Sequence, residues 1–144
     1  MRLLVSACLL GAKCRYDGRD NRLDQAARLL ELHTCVPVCP EQLGGLSTPR
    51  VPAERRGDRV IDQEGRDVTA AFQRGAEETV RLARLCGCQA ALLKERSPSC
   101  GCGRIYDGTF TKRLTEGNGL TAQRLIEEGL AIYGESRIDE LPYR

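Results

Sequence analysis

The sequence predicts an α/β fold: a single-domain parallel, Rossmann-like sheet with helices on both faces, spanning residues 1–134, with a C-terminal tail at 135–144. Three observations carry this expectation. Short apolar runs recur at 2–7, 35–38, 90–93 and 131–133, with the density expected of strands covered on both faces. Segments with apolar residues at helical spacing lie between them. The resulting alternation favours parallel strands joined by crossover helices. At 144 residues the chain can bury a core without disulfides.

The first run, RLLVSA at 2–7, leads into Cys8, and Gly11 then permits a tight turn. Leu23, Ala26, Ala27, Leu29 and Leu30 share a helical face, with Asn21 as the candidate cap. The second strand ends at Cys39. Pro37 inside it cannot donate to a ladder, which counts against the strand reading. Residues 41–57 are rich in Gly, Pro and Arg and are expected to form a long functional loop. A small hairpin is expected between 60–61 and 66–68. Asp67 or Thr69 then caps a long helix that turns Phe72, Ala76, Val80 and Ala83 inward and stops at Gly87. The third strand, AALL at 90–93, leaves through a polar, turn-rich loop, 94–101. Gly117-Asn118-Gly119 precedes a last helix at 120–128, closed by Gly129, and a final strand at 131–133.

Charge and hydropathy exclude several classes. The 22 Lys and Arg nearly balance 20 Asp and Glu, so there is no global basic field for nonspecific nucleic-acid binding. No run approaches the roughly 18 apolar residues of a membrane span, and the first run lacks a cleavage site, so a cytoplasmic location is expected. Eight cysteines is a high count for a reducing compartment, where clustered thiols point to metal or catalysis rather than disulfides. No GxGxxG follows a strand and no P-loop is present.

Cys8, Cys39 and Cys100 each stand just past a predicted strand. In a parallel sheet those carboxyl ends share one edge, so the three thiols are expected to converge on one crevice and hold a metal or an iron–sulfur cluster. Cys14, flanked by Lys13 and Arg15, is a further candidate ligand or a thiol behind the ligands. Cys35, Cys86, Cys88 and Cys102 are read as small apolar filler. No CxxC pair occurs, which weakens a structural zinc reading.

The segments SACLLG (6–11), CRYDG (14–18), VCPEQLGGL (38–46), TPR (48–50), KERSPSCG (94–101) and IYDGTF (105–110) occur in fixed order and resemble the thiouracil desulfidase (TudS) family over nearly the whole chain. The resemblance implies a [4Fe–4S] cluster held by Cys8, Cys39 and Cys100, with one iron lacking a protein ligand. It also implies catalytic roles for Glu41 and Ser97, and a thiolated pyrimidine base or nucleotide as substrate, with 4-thiouridine monophosphate favoured by short members. Such an iron suits a soft thiocarbonyl sulfur and makes it a leaving group. Glu41 would activate water, and Ser97 would bond a ring nitrogen or relay a proton. Sulfide leaves without net redox change. For a phosphate, candidates are Gly119 at a helix N terminus together with Arg50, Lys13 and Arg15.

On the residues alone, two other classes stay open: a zinc- or cluster-binding module acting on thiolated tRNA, and a metal-free thiol redox pair. A nucleic-acid partner is not favoured.

Overall fold

The structure, a computed structural model, describes residues 1–142. Among these residues the elements run β1 (Arg2–Ser6), α1 (Ala26–Leu32), β2 (Thr34–Val38), α2 (Pro40–Leu43), β3 (Ala53–Arg56), β4 (Arg59–Asp62), α3 (Thr69–Leu85), β5 (Ala90–Leu93), β6 (Arg104–Tyr106), β7 (Leu114–Glu116), α4 (Leu120–Glu127) and β8 (Ala131–Gly134). Tight 3-10 turns lie at Ala7–Leu10 and Glu135–Glu140.

The central sheet has the order β2-β1-β5-β8, with every pairing parallel. Alternation along the strands separates two cores. Leu4, Ala91, Leu93 and Ile132 face Val80 and Ala83 of α3 and Ala122 and Leu125 of α4. Leu3, Val5, Ala90 and Leu92 face Leu9, Leu29 of α1 and Leu141. Each fully buried Leu contributes roughly 1.5–3 kcal/mol of apolar transfer, so the unbroken apolar character of β1 and β5 fixes the centre of the sheet. The chain leaves β1 toward β2 on one side and returns from β2 to β5 on the other. The switch point therefore falls between β1 and β5, where a ligand crevice is expected at the carboxyl ends.

Pro37 is accommodated because β2 is an edge strand paired only with β1, and its ring is exposed. The first helix begins at Ala26 rather than near Leu23; the Asn21 N–H donates to the Cys8 carbonyl at 2.9 Å instead of capping it. Residues 41–57 are only partly loop: they contain most of α2 and all of β3, which pairs with β4 in an antiparallel hairpin turning at Gly57. The expected return strand at 66–68 is reduced to a bridge between Ile61 and Asp67. Asp67 accepts the Thr69 N–H at 2.9 Å at the start of α3. The four inward residues named for that helix are all buried.

The expected tail at 135–144 is held down over most of its length. Glu135 accepts the Lys94 ammonium at 2.7 Å and the Glu95 N–H at 2.9 Å, and Leu141 is buried in the second core. The last two positions of that tail lie outside the described residues.

Candidate active site

A cavity of about 990 Å³ opens at the carboxyl edge of the sheet, lined by Cys8, Cys14, Cys39 and Cys100 together with Glu41, Arg50 and Ser97. Cys8, Cys39 and Cys100 are each delivered by a different strand end, and Cys14 follows Cys8 in the loop after β1. Cys8 lies in the 3-10 turn after β1, which Gly11 ends in the left-handed region at φ 105°. Cys39 precedes α2, whose first residue is Pro40, the position where a missing N–H costs least. Cys100 lies in the loop after β5.

The Cys100 loop is docked onto the start of α4. Gly119 N–H donates to the Gly101 carbonyl at 2.7 Å, Leu120 N–H to Pro98 and Thr121 N–H to Ser99, both at 2.9 Å. A Cβ on Gly119 would collide with the Ser99 carbonyl. This corrects the expectation for Gly119: the helix N terminus is already filled by backbone carbonyls, and its glycine permits the close approach that positions Cys100.

Packing also fixes Glu41. The helices α2 and α3 cross at two glycines, where a Cβ on Gly75 would strike the Pro40 carbonyl and one on Gly44 would strike the Ala71 carbonyl. The backbone carrying Glu41 is thereby held against α3.

Hydrogen bonds shape the charges of the thiols. Cys14 is buried between Cys39 and Cys8, and these neighbours, with burial, hold it protonated. Its thiol in turn pushes Cys39 down to about 7 and lowers Cys8, which also receives a hydrogen bond from the Asn21 side chain. Burial and the nearby Glu41 carboxylate raise Cys100, opposed by the Ser6 hydroxyl, which donates to its sulfur. A bound metal reverses that balance, since a coordinated thiol is deprotonated. The Ser6 oxygen also accepts Lys94 N–H at 2.9 Å, so one hydroxyl ties β1 to the β5 loop.

Burial raises the Glu41 carboxyl, and the Arg50 guanidinium opposes this from 3.6 Å. Arg50 is fixed in turn by the Cys14 carbonyl at 2.9 Å and Thr48 Oγ1 at 3.0 Å, and its own N–H donates to the Tyr16 carbonyl at 2.8 Å. Ser97 Oγ accepts N–H groups from Ser99 at 3.0 Å and Cys100 at 3.1 Å. Both lone pairs are thereby engaged, which leaves its O–H to donate.

The remaining predicted residues divide. Arg15 lines the cavity but is held by Asp17 at 2.9 Å and Asn21 at 3.1 Å. Lys13 is exposed and lies outside the cavity lining, so the structure does not bring it to the site. Cys35, Cys86, Cys88 and Cys102 also lie outside it. Sequence reasoning missed Ser6 and Asn21, whose contacts with Cys100 and Cys8 arise only from the fold; Ser6 lies two residues before Cys8, which was the available signal.

The donor chemistry discriminates between metal centres. Among the described residues no group of three His, Cys, Asp or Glu side chains is arranged to hold a single metal ion. A zinc site needs its ligands about 2.0–2.3 Å from one centre. A cluster takes each thiolate on a separate iron and so suits sulfur donors spread around one cavity. The cysteines here supply sulfur alone, the donor type of iron–sulfur sites.

The 2-thiouracil desulfurase family model matches residues 3–137. The Bacillus subtilis (strain 168) protein YbbK, itself uncharacterized, is 38% identical over 149 aligned positions, covering 96% of this chain and 99% of its own. A solved structure of a protein named [4Fe-4S]-dependent thiouracil desulfidase TudS is 44% identical and superposes with a TM-score of 0.93 over 97% of this chain and 94% of that one. The chain belongs to the 2-thiouracil desulfurase family.

Proposed function

We propose that this protein is a [4Fe–4S]-dependent desulfidase that replaces the sulfur of a thiouracil-type base with oxygen from water and releases hydrogen sulfide. The reading is supported above all by the meeting of Cys8, Cys39 and Cys100 with Glu41 in one cavity, in a member of a desulfurase family. Cys8, Cys39 and Cys100 would hold the cluster, and an iron without a protein ligand would supply Lewis-acid attraction for the soft thiocarbonyl sulfur.

The chain's own groups account for the rest. Glu41, whose carboxyl is raised by burial against the opposing Arg50 guanidinium, accepts a proton from water as the water oxygen adds to the ring carbon bearing sulfur. Ser97 donates its free O–H toward the substrate, because its lone pairs already serve two backbone N–H groups. The carbon–sulfur bond breaks, the sulfur leaves with the proton it requires, and the carbonyl forms. No electron is gained or lost, which makes the reaction hydrolytic and 4-thiouridine monophosphate or thiouracil a sufficient substrate with water.

The test is Glu41→Ala in iron-replete, anaerobically handled protein. The cluster absorbance is expected to persist while sulfide release from 4-thiouracil is lost. Undiminished release would remove Glu41 from the mechanism, and a colourless wild-type protein after iron reconstitution would remove the cluster.

A further inference from the structure

Two of the three thiols assigned to the cluster receive a hydrogen bond from a side chain that the proposed chemistry does not use. The Ser6 hydroxyl donates to Cys100, and the Asn21 amide donates to Cys8. Both donors line the cavity. In each, the remaining polar atom is already committed. Ser6 is 2% exposed and its oxygen accepts the Lys94 N–H at 2.9 Å, so water does not compete for the hydroxyl and its proton is left to the sulfur.

Asn21 is anchored twice. Its backbone N–H donates to the Cys8 carbonyl at 2.9 Å, and its side-chain oxygen accepts the Arg15 guanidinium at 3.1 Å. That guanidinium is itself held on Asp17 at 2.9 Å. With the amide oxygen fixed on Arg15, the amide nitrogen is the atom turned to the Cys8 sulfur. These contacts survive metal binding. A coordinated thiol is deprotonated and can only accept, so donation from Ser6 and Asn21 becomes charge-assisted. The contact from Cys39 Sγ to the Cys14 carbonyl at 3.8 Å, in which the cysteine is the donor, is lost on coordination.

We propose that Ser6 and Asn21 are positioning residues that act through Cys100 and Cys8, drawing charge off the two ligating sulfurs and so raising the reduction potential and the Lewis acidity of the centre they hold. The inference rests on the cluster assigned under the proposed function. Hydrogen bonds to ligating sulfur stabilise the electron-richer state of an iron–sulfur centre, which fixes the sign of the effect. The same withdrawal leaves the iron a stronger acceptor for a soft thiocarbonyl sulfur. Arg15, which lines the cavity, then serves to orient Asn21.

The experiment compares iron-replete, anaerobic wild type with Ser6→Ala, Asn21→Ala and Ser6→Thr, which keeps the hydroxyl. Redox titration followed by electron paramagnetic resonance reads the potential on cluster-bearing molecules alone, so partial loading of a variant does not distort it. Resonance Raman spectra of wild type in H2O and D2O read donation to sulfur without any substitution. The iron–thiolate bands of wild type are expected to shift in D2O. Each alanine variant is expected to change the equilibrium between reduced and oxidised cluster by about tenfold against the reduced state, a fall of about 59 mV for one electron, and to lower kcat/KM for 4-thiouracil. Ser6→Thr retains the wild-type potential. Unshifted bands in wild type, or potentials unchanged in both alanine variants, overturn the proposal. An equal fall in Ser6→Thr overturns the role of the hydroxyl, and a lowered potential with unchanged kcat/KM overturns the link to Lewis acidity. A protein that takes up no cluster refutes this proposal together with the cluster. A loaded protein that releases no sulfide refutes the desulfidase reading alone, and the potentials still decide the role of Ser6 and Asn21.

Discussion

Replacing Arg50 by Met is predicted to cost far more stability than replacing its partner Glu41 by Gln. Arg50 and Glu41 have side chains only 10% and 16% exposed and stand 3.6 Å apart. Removing the guanidinium deletes the bonds to the Cys14 carbonyl and Thr48 Oγ1, and leaves a carboxylate that burial already disfavours without its cation. Breaking such a pair from one side costs roughly 3–5 kcal/mol, and the long separation places Arg50→Met at about 3 kcal/mol. Glu41→Gln works in the other direction. The amide keeps the shape, Arg50 keeps its other acceptors, and repulsion between the carboxylate and the thiols is relieved, so the loss stays below about 1 kcal/mol. For a chain of this size each kcal/mol moves Tm by roughly 3–4 °C. Anaerobic thermal unfolding followed by circular dichroism, at matched iron content, should show losses of about 10 °C for Arg50→Met and under about 4 °C for Glu41→Gln. Similar shifts for the two variants would refute the asymmetry and with it the claim that Arg50 serves Glu41.

Three further outcomes follow from the geometry. Cys14→Ser should retain the visible absorbance of the iron-loaded protein, whereas Cys8→Ser, Cys39→Ser and Cys100→Ser should each lose it. Gly75→Ala forces a Cβ into the Pro40 carbonyl and is expected to cost about 1–3 kcal/mol in denaturant unfolding, with a fall in activity because Glu41 follows Pro40. Asp62 is held below the usual carboxylate range by its bonds to Arg66 and to the Glu64 and Arg66 N–H groups. Its folded-state pKa is depressed, so its contribution is present above the unfolded value near ~3.9 and is lost as pH falls through the folded value. Asp62→Asn should therefore flatten the acid limb of stability, read from urea unfolding across that range.

The sheet was legible because β1 and β5 are buried on both faces and read as unbroken apolar runs, and the amphipathic face of α3 repeats at 3.6 residues. Convergence of Cys8, Cys39 and Cys100 on one cavity followed from parallel topology alone. The small hairpins were not legible for the opposite reason. The Ala53–Arg56 strand is AERR, with no apolar alternation, and its inward residue is Glu54, a buried acid whose backbone N–H partners lie in another hairpin. Gly119 was misread because an open helix N terminus and one filled by a docked loop have the same sequence. Arg50 was visible as a cation near the site; that its charge belongs to Glu41 depends on two turns, at 14–16 and 47–50, meeting in space.

The proposed desulfidase chemistry requires a cluster with one iron that no cysteine of the chain holds. Mössbauer spectroscopy of 57Fe-loaded, anaerobic protein, with and without 4-thiouracil, reads this directly. The predicted result is a [4Fe–4S] signal in which one iron separates from the other three when the substrate is added, in wild type and in Cys14→Ser alike. Four equivalent irons unaffected by substrate, or an intact signal that disappears in Cys14→Ser, would contradict it.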